Sequence, residues 1–348
     1  MIRLPIRGRG VPDDPPNRFE RRYRILDPGE APEARLSEFI PDHSLSIVAR
    51  NESPDVGFDA SVNPYRGCEH GCVYCYARPT HEFLGFSSSL DFERKILFKQ
   101  RAPELLRAAF SKPGWKPQVL GMSGVTDPYQ PAERRLRLTR GVLEVLRDFR
   151  NPVSIVTKNH LVTRDADLLS ELADYECAMV TLSITTLDRS LQSRMEPRTS
   201  VPSQRLKTIE ALSKAGIPTA VNLAPVIPGL NDEEIPAILA AARDAGAEHA
   251  AYLLLRLPYG VADHFSQWLT DHYPDRRERV LGRIREVRGG DLNESGFFRR
   301  SRGEGPYAEH IARLFKVAKA KAGFEDRPPP LSTSAFRRGG GLQGELFG

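Results

Sequence analysis

Short apolar runs alternate with amphipathic helical stretches between Asn63 and about Pro258, and this alternation limits the fold more than any other feature of the sequence. Such a pattern is typical of repeated βα units around a parallel sheet. The predicted strands are residues 118–125, 153–157, 178–185, 219–226 and 250–255. The predicted helices between them are residues 92–110, 131–149, 163–174, 202–215 and 232–245.

A further strand just before residue 68 brings the count to about six units, which is too few for a closed eight-stranded barrel. We therefore predict an α/β fold, a partial (β/α)6 TIM-like barrel with N- and C-terminal extensions and with its chemistry at the C-terminal ends of the strands. A doubly wound open sheet is the alternative, but no Gly-x-Gly-x-x-Gly follows a predicted strand to support a dinucleotide site.

Composition divides the chain into four predicted regions. Residues 1–60 are rich in Pro, Arg and Asp and form an extension, residues 61–260 are the core domain, and residues 327–348 are a low-complexity, flexible tail. Between core and tail, residues 261–326 form a helical region with predicted helices at 263–272, 275–287 and 306–322.

The charge balance is mildly basic, with 50 Lys and Arg against 45 Asp and Glu and a pI near 9.0. This balance fits a polyanionic partner such as nucleic acid without requiring one. No apolar run approaches the roughly 20 residues of a membrane span, and the start MIRLPIRGRG lacks the apolar core of a signal peptide. We therefore expect a cytoplasmic protein without a membrane partner.

Three of the four cysteines, Cys68, Cys72 and Cys75, lie within eight positions in a glycine-containing loop. So short a loop would strain a disulfide, and reduced thiolates that bind a metal are the better interpretation. Thiolates at this spacing can hold one iron–sulfur cube and leave its fourth iron open to a ligand. Cys177 lies far along the chain among apolar residues, where a small buried side chain is expected.

Two other uses of these thiols stay open at this point. Zinc could take the three cysteines together with His70 or His81, although zinc usually receives its thiols in close pairs separated by a longer loop. A catalytic nucleophile would need only one thiol, which makes it the weaker alternative.

The Cys-x3-Cys-x2-Cys pattern, with the aromatic residue Tyr74 just before the last cysteine, resembles the signature of the radical S-adenosylmethionine (SAM) superfamily. The resemblance implies a [4Fe–4S] cluster on Cys68, Cys72 and Cys75, with SAM bound to the open iron through its amino and carboxylate groups. It also implies that an external electron donor reduces the cluster and that SAM is cleaved to a 5′-deoxyadenosyl radical, while the protein orients the cofactor and excludes water.

Further motifs over roughly residues 61–232 resemble one branch, the spore photoproduct lyase-like proteins that are often labelled DNA repair photolyases. They are Thr157-Lys158-Asn159, Leu182-Ser183-Ile184-Thr185, Met195-Glu196-Pro197 and Ala224-Pro225-Val226-Ile227. The resemblance implies that Lys158 contacts the SAM carboxylate and that Ser183 contacts its methionine or ribose. It places Glu196 in a shared motif and Ile227 in a strand end beside adenine.

Thr126 and Asp127, at the end of the second predicted strand, stand where the superfamily contacts the SAM amino group.

The residues to which the resemblance gives a role in SAM binding also have simpler explanations. Lys158 can be a solvated lysine, and Glu196 can be a helix-end charge paired with Arg198 or Arg205. The order of the motifs along the chain, each at a predicted strand end, favours the cofactor roles.

The resemblance does not name a substrate. Spore photoproduct lyase is known to use a cysteine near the second strand end to return a hydrogen atom, and residues 120–126 contain none here. The hypotheses are a radical SAM enzyme acting on nucleic acid in a lyase-like repair reaction, one modifying a protein or small metabolite, and a non-catalytic iron–sulfur or zinc module. Phe297-Phe298-Arg299-Arg300, in an Arg-rich loop, offers aromatic rings and cations to nucleic acid.

The extreme C-terminus carries a second, independent pattern. Gln343 is followed by Leu346 and Phe347 at the end of a Gly-rich stretch, which resembles the short peptides that dock on bacterial sliding clamps. An apolar groove on a partner is a suitable site for such a Leu-Phe pair. We therefore expect the segment from Gln343 to Phe347 to be a candidate clamp-binding motif.

Overall fold

The structure is a computed structural model that describes residues 8–11, 17–19, 36–326, 328 and 330–338. The strands are β1 (Glu38–Pro41), β2 (Val48–Arg50), β3 (Ala60–Val62), β4 (Tyr65–Arg66), β5 (Lys95–Phe98), β6 (Leu120–Met122), β7 (Val153–Thr157), β8 (Ala178–Ser183), β9 (Thr219–Val226) and β10 (His249–Leu254). The helices are α1 (Leu90–Arg94), α2 (Ala102–Ser111), α3 (Glu133–Leu136), α4 (Leu138–Phe149), α5 (Ala166–Ala173), α6 (Arg189–Met195), α7 (Pro202–Lys214), α8 (Ile235–Asp244), α9 (Val261–His272), α10 (Pro274–Glu286), α11 (Arg299–Arg302) and α12 (Gly305–Lys321). Short 3-10 helices cover Arg78–Leu84, His160–Asp165 and Asp232–Glu234.

The main sheet has the strand order β10-β9-β8-β7-β6-β3-β2. β3 and β6 to β10 all run parallel to their neighbours, and β2 joins the edge antiparallel to β3. The predicted α/β class with a parallel sheet is therefore confirmed. A doubly wound sheet reverses its strand order in the middle, and this order never reverses. Right-handed crossovers along such an order place the connecting helices on one face, as in a barrel.

The two faces of this sheet differ in chemistry. One face is apolar and buried against α5, α7 and α8, with Val180, Leu182 and Val221 fully buried. On the other face, Ser183 pairs in register with Asn222, and Asn222 pairs with Ala251. Small and polar side chains therefore occupy this second face. Whether the sheet curves into a partial barrel stays a prediction.

A smaller sheet of order β1-β5-β4 lies beside the loop that carries the three cysteines. It corrects the predicted helix at residues 92–110, because Lys95–Phe98 forms a strand and separates α1 from α2. The apolar run Ile96-Leu97-Phe98 fits a pleated strand, and buried Ile96 packs in one cluster with Tyr65 of β4. The helix resumes only where Pro103 can occupy the first turn of α2.

Other element boundaries also differ from the sequence-based expectations. The predicted helix at 131–149 is interrupted at Arg137, whose φ of 52° separates α3 from α4. The predicted strand at 118–125 is only Leu120–Met122. Helices α9, α10 and α12 lie within two residues of the predicted bounds.

Some predictions concern parts of the chain for which less is described. β1 and β2 fall within the predicted extension 1–60 and pair with the two sheets, and the regional boundaries stay predictions. The candidate clamp motif from Gln343 to Phe347 lies outside the described residues. No helix in the described ranges is long and apolar enough to cross a membrane.

Candidate functional site

The three clustered cysteines follow β4 and lie at the end of the main sheet where the parallel strands terminate. All are free thiols; Cys68 and Cys72 are buried and Cys75 is partly buried. Backbone hydrogen bonds fix the loop, from Cys68 N to Phe92 O at 2.8 Å and from Cys75 N to Cys72 O at 3.2 Å. The loop therefore has a defined path around the thiols.

Two glycines make this path possible. Gly67 and Gly71 have φ values of 80° and 65°, which favour glycine. A Cβ on Gly67 would lie 2.8 Å from Lys95 O, and one on Gly71 would lie 2.7 Å from Glu93 Oε2. A side chain at either position would push the loop away from its neighbours.

The electrostatics of the thiols fit a positively charged group between them. Burial raises the pKa of Cys68, and the charge of Asp127 raises it further. Burial likewise raises the pKa of Cys72, with Glu196 as the next cause and with Cys75 and Cys68 adding to it. Buried thiolates that repel one another and two carboxylates need a compensating cation, which the irons of a [4Fe–4S] cluster supply.

A single metal ion fits less well than a cluster. No three Cys, His, Asp or Glu side chains among the described residues could hold one ion as they are placed. In a cluster each thiolate binds its own iron, so the sulfurs do not have to meet at one point.

His70, between the first two cysteines, has a polar neighbour at each ring nitrogen. Its Nδ1 lies 3.4 Å from Asp127 Oδ2, and its Nε2 lies 3.0 Å from Asn159 Nδ2. Because Asn159 Oδ1 accepts from Leu161 N, the Asn159 amide donates to Nε2, and Nδ1 carries the proton toward Asp127. His70 is therefore committed to this network, which speaks against a zinc site that uses it.

His81 occupies a different place. Its Nε2 lies 3.0 Å from Lys95 O, and its ring packs edge-to-face against the Phe92 ring. Burial lowers the pKa of His81 to about 4, so the ring is neutral. It supports the outer side of the loop, where a Cβ on Gly67 would approach it.

Buried Arg78 stabilises the cysteine loop through an ion pair and through hydrogen bonds to backbone carbonyls. Its Nη2 lies 2.5 Å from Glu93 Oε1, and both side chains are fully buried. Its other nitrogens donate to Cys72 O at 3.0 Å and Ser89 O at 3.0 Å. Glu93 also accepts a 3.1 Å hydrogen bond from Gly10 N of the N-terminal segment. Arg78 and Glu93 therefore neutralise each other, and both accept or donate further hydrogen bonds to the backbone.

Lys158, which directly follows β7, and Glu196, at the C-terminal end of α6, form an ion pair beside the thiols. Lys158 Nζ lies 3.1 Å from Glu196 Oε1, and it donates to Thr185 Oγ1 at 3.1 Å and Ala224 O at 2.8 Å. The ammonium group therefore already sits among oxygens at the strand ends. The simpler explanation of Lys158 as a solvated surface lysine does not hold.

Glu196 is fully buried and collects further donors. Tyr74 OH donates to it, Thr185 Oγ1 donates at 2.6 Å, and Arg205 Nη2 forms a second ion pair. Burial alone would raise the pKa of Glu196, but Arg205, Lys158 and these hydrogen bonds hold it well below its usual value. Glu196 is thus a permanent anion that fixes Tyr74 and Lys158.

Thr126 and Asp127 are used within the protein. Thr126 Oγ1 donates to Tyr65 O at 3.0 Å. Asp127 accepts from Thr157 Oγ1 at 2.7 Å and from Lys158 N at 2.8 Å. Asp127 therefore connects the end of β7 to His70 in the cysteine loop. A direct contact of either residue with the SAM amino group stays a prediction.

Ser183 and Ile227 end neighbouring strands of the same sheet. The Ser183 hydroxyl makes no hydrogen bond to any described residue, while its carbonyl accepts from Arg205 Nη1 at 2.8 Å. Ile227 is fully buried in a cluster with Cys72 and Tyr74, and its N donates to Asn231 Oδ1 at 2.6 Å. Ser183 has an uncommitted donor at the site, and Ile227 offers an apolar wall.

Cys177 lies just before the start of β8, at the opposite end of the strands from the other thiols. It is fully buried, and its Sγ contacts carbonyl oxygens of Arg150, Tyr175 and Ser332 at 3.3–3.4 Å. This is the buried, structural position expected from its apolar neighbours.

Sequence reasoning missed part of this network. It treated His70 only as a zinc ligand and gave no role to Asn159 or Thr185, although both stand within the motifs that were singled out. Arg205 was considered only as one alternative partner of Glu196, and the pairing is real. A buried Arg nine residues after Glu196 on a following helix leaves no clear signal without coordinates.

Comparison with known proteins supports the same chemistry. The family model described as Radical SAM superfamily matches residues 62–242. An uncharacterized protein of Mycobacterium tuberculosis strain H37Rv is 33% identical over 305 residues, covering 84% of this chain and 84% of that protein. The chain belongs to the radical SAM superfamily. Members of this superfamily use a [4Fe–4S] cluster and SAM, as the cysteine motif predicted.

Further matches concern smaller parts or the fold. An uncharacterized protein of Methanocaldococcus jannaschii is 31% identical over 173 residues, covering 50% of this chain and 62% of that protein. A mutant of spore photoproduct lyase with bound AdoMet and dinucleoside spore photoproduct has a TM-score of 0.57 at 15% identity, covering 82% of this chain and 79% of that one. The same enzyme complexed with dinucleoside spore photoproduct gives 0.57 at 14% identity. The radical SAM chain thus shares its fold with spore photoproduct lyase.

Proposed function

We propose that the protein is a radical SAM enzyme that reductively cleaves SAM at a [4Fe–4S] cluster held by Cys68, Cys72 and Cys75. The observation that carries this assignment is the set of three free thiols beside the Lys158–Glu196 ion pair, at the C-terminal ends of the parallel strands. When bound, the cluster and SAM supply one-electron cleavage of the sulfonium to a 5′-deoxyadenosyl radical, with the electron coming from an external donor.

The residues at the strand ends would hold SAM within a sheet that we propose curves into a partial barrel. Lys158 can offer its ammonium group to a carboxylate, because Glu196 retains Arg205 as a second cation. The uncommitted Ser183 hydroxyl can donate to the cofactor, and Ile227 with Tyr74 forms an apolar, water-excluding wall. A non-catalytic iron–sulfur module would have no need of these contacts.

For the substrate, we propose nucleic acid and a lyase-like reaction. Spore photoproduct lyase, which shares the fold, has been solved with a dinucleoside spore photoproduct. The Arg-rich loop near the site adds positive charge and exposed aromatic rings, with Phe297 at 52% and Phe298 at 60% exposure. Modification of a protein or a small metabolite is the competing proposal. Binding to a sliding clamp through the C-terminal segment remains a separate proposal.

The direct test is anaerobic reconstitution followed by incubation with SAM and dithionite. We expect formation of 5′-deoxyadenosine by the wild type and by Cys177→Ala, and none by Cys68→Ala, Cys72→Ala or Cys75→Ala. Deuterium exchange into nucleic acid but not into protein or metabolite fractions would support the proposed substrate. Absence of 5′-deoxyadenosine from iron-loaded wild type would refute the function.

The cofactor contacts have their own test. Lys158→Ala should weaken SAM binding by about 1.5–3 kcal/mol, the range for a hydrogen bond to a charged group. Ser183→Ala should weaken it less, because its hydroxyl is neutral. Isothermal titration of the cluster-loaded variants measures both, with iron content as the control for an intact site. Unchanged SAM affinity in both variants would remove these two residues from the cofactor site.

A further inference from the structure

An arginine that has no ion pair with any described residue lies at the carboxyl end of the sheet, beside the cysteine loop. Arg256 follows β10 at the carboxyl ends of the strands, and its guanidinium lies 5.0 Å from the ring centroid of Tyr76, the residue after Cys75. Tyr76 OH in turn donates to Gly124 O at 3.0 Å, beyond the end of β6. Tyr76 thus links the segment after β6 to Arg256 after β10 and presents Arg256 next to the cysteine loop.

Arg256 lacks both an ion pair and a hydrogen bond within the described part of the chain. Its Nε is buried without an acceptor, and its guanidinium carbon lies over the Tyr76 ring. Burial and the nearby charge of Arg300 lower the pKa of Arg256, yet an arginine remains charged at neutral pH. A half-buried guanidinium with free donors is an incomplete arrangement that an anionic ligand would complete.

Neighbouring arginines strengthen the positive potential. Arg288 is 3% exposed and donates to Leu255 O and, at 2.9 Å, to Arg299 O. No carboxylate of the described residues lies within ion-pair distance of it. Burial and the charge of Arg256 lower the pKa of Arg288 to about 10. Arg300 is paired with Asp55, so this group of three arginines carries one matched carboxylate and a net positive charge.

The Arg-rich loop that contains Arg300 also carries two exposed aromatic rings, and the backbone of one of these residues is strained. Phe298 has φ 62° and ψ −48°, a backbone conformation that costs a non-glycine residue about 1–3 kcal/mol. Asp55 Oδ2 holds it there by accepting from Phe298 N at 3.0 Å, while Asp55 also binds Arg300. Phe297 lies 5.0 Å from the Arg300 guanidinium and is likewise exposed. Strain that presents an exposed ring fits ligand contact better than core packing.

We propose that Arg256, supported by Arg288 and Tyr76, is a phosphate-binding site for an unpaired strand of nucleic acid, with Phe297 and Phe298 stacking on its bases. This inference rests on the proposed function for the reaction and adds the substrate subsite. Arginine forks match phosphodiester oxygens, and rings beside cations are the usual means of holding single strands. The site would place a nucleotide next to Tyr76 and therefore next to the cysteine loop.

Fluorescence anisotropy of short, dye-labelled single-stranded DNA and RNA on cluster-loaded protein tests the proposal. Arg256→Gln should weaken binding about tenfold, the equivalent of about 1.4 kcal/mol. It should also lower the slope of log affinity against log salt by about 0.7, the value for one lost phosphate contact on a single strand. Arg256→Lys should recover part of the affinity because it keeps the charge, and Phe298→Gly should weaken binding without changing the salt slope.

Lys214→Gln is the matched control, because Lys214 is 73% exposed at the end of α7, before β9 begins, and its loss removes the same charge. It should leave binding within about twofold, as expected for a distant surface charge at physiological salt. Iron content confirms that each variant is folded around its cluster. Equal affinity and salt slope for wild type and Arg256→Gln would overturn the proposal.

Competition separates the sources of phosphate. Unlabelled single strands should displace the probe better than duplex, mononucleotide or inorganic phosphate. If polyglutamate or a mononucleotide competed as well as a single strand, the proposed single-strand site would also be overturned. The wild type's 5′-deoxyadenosine assay reports on the proposed function separately, so a protein that cleaves SAM but fails these tests loses only the subsite.

Discussion

Two arginines beside the cysteine loop are in opposite situations. Arg78 is fully buried, forms an ion pair with Glu93 and donates to several backbone carbonyls. Arg256, whose guanidinium lies over the Tyr76 ring, has no ion pair or hydrogen bond to any residue that the structure describes. The Arg78 guanidinium is therefore bound within the protein, whereas the donors of Arg256 are available to a ligand.

This difference defines two regions of the molecule. We call the surroundings of Arg78, Glu196 and Asp127 the holding region, and the surroundings of Arg256 and Phe298 the receiving region. Around Arg78, Glu196 and Asp127 each charge is matched, which keeps the loop in one geometry as a cluster requires. Around Arg256, the excess charge and the exposed rings leave the surface open to a ligand. Substitutions in the first region should therefore affect folding, and those in the second should affect binding.

Breaking the Arg78–Glu93 pair should give the largest effect on stability. Arg78→Met should lower the free energy of unfolding by about 3–5 kcal/mol, because it leaves the Glu93 carboxylate buried and unpaired. Chemical denaturation measures this. Arg107→Met is the control, since the Arg107–Asp148 pair is partly exposed to solvent and should be worth only about 1 kcal/mol. Equal losses in the two variants would contradict the contrast between matched burial and surface pairing.

The stability of the holding region near Arg78 should also depend on pH. Burial, with the charge of Arg78 as a smaller cause, lowers the pKa of His264 to about 4. An unfolded His takes up a proton near pH 6.5 while the folded one does not, so stability falls as pH drops from about 6.5 toward 4. Between pH 7 and pH 5 the wild type should lose about 1–2 kcal/mol more than His264→Gln. Parallel pH profiles of the two proteins in thermal unfolding would contradict this.

The smallest stability effect is expected in the receiving region. Phe298→Gly should leave the free energy of unfolding unchanged or raise it by up to about 1 kcal/mol, because glycine adopts the positive φ of this residue without strain. Phe298→Ala, which keeps the strain but loses the ring, is the matched comparison and should be the less stable of the two. A loss above about 1 kcal/mol in Phe298→Gly would show that the ring serves packing instead of ligand contact.

The sequence predicted the parallel sheet and the order of its units because apolar periodicity and turn residues are local signals. Thr219–Val226 has the predicted bounds, and α9, α10 and α12 lie close to theirs. Lys95–Phe98 was assigned to a helix because its strand character depends on β1 and β4, which pair with it from elsewhere in the chain. Tertiary pairing overrides local propensity in such cases.

For the site, the motif spacing predicted which residues gather but not what each one touches. Lys158 and Ser183 lie at the ends of the neighbouring strands β7 and β8, as their order suggested. The expectation that Glu196 also lies at a strand end is wrong, because it lies at the C-terminal end of helix α6 and pairs with Lys158 and Arg205 from there. The partners of Asp127 and His70 could not be read from the sequence, because they come from three separate loops. The unpaired state of Arg256 is likewise a property of the assembled fold, since it depends on every neighbour.

Iron content of anaerobically reconstituted protein tests the central claim most directly, because the whole account depends on a cluster at the three thiols. We predict about four irons per chain in the wild type and in Cys177→Ala, as a [4Fe–4S] cluster requires. We predict that Cys68→Ala, Cys72→Ala and Cys75→Ala each lose the cluster and its absorbance. Stoichiometric zinc with no iron in the wild type, or full iron content in any of these three variants, would contradict the account.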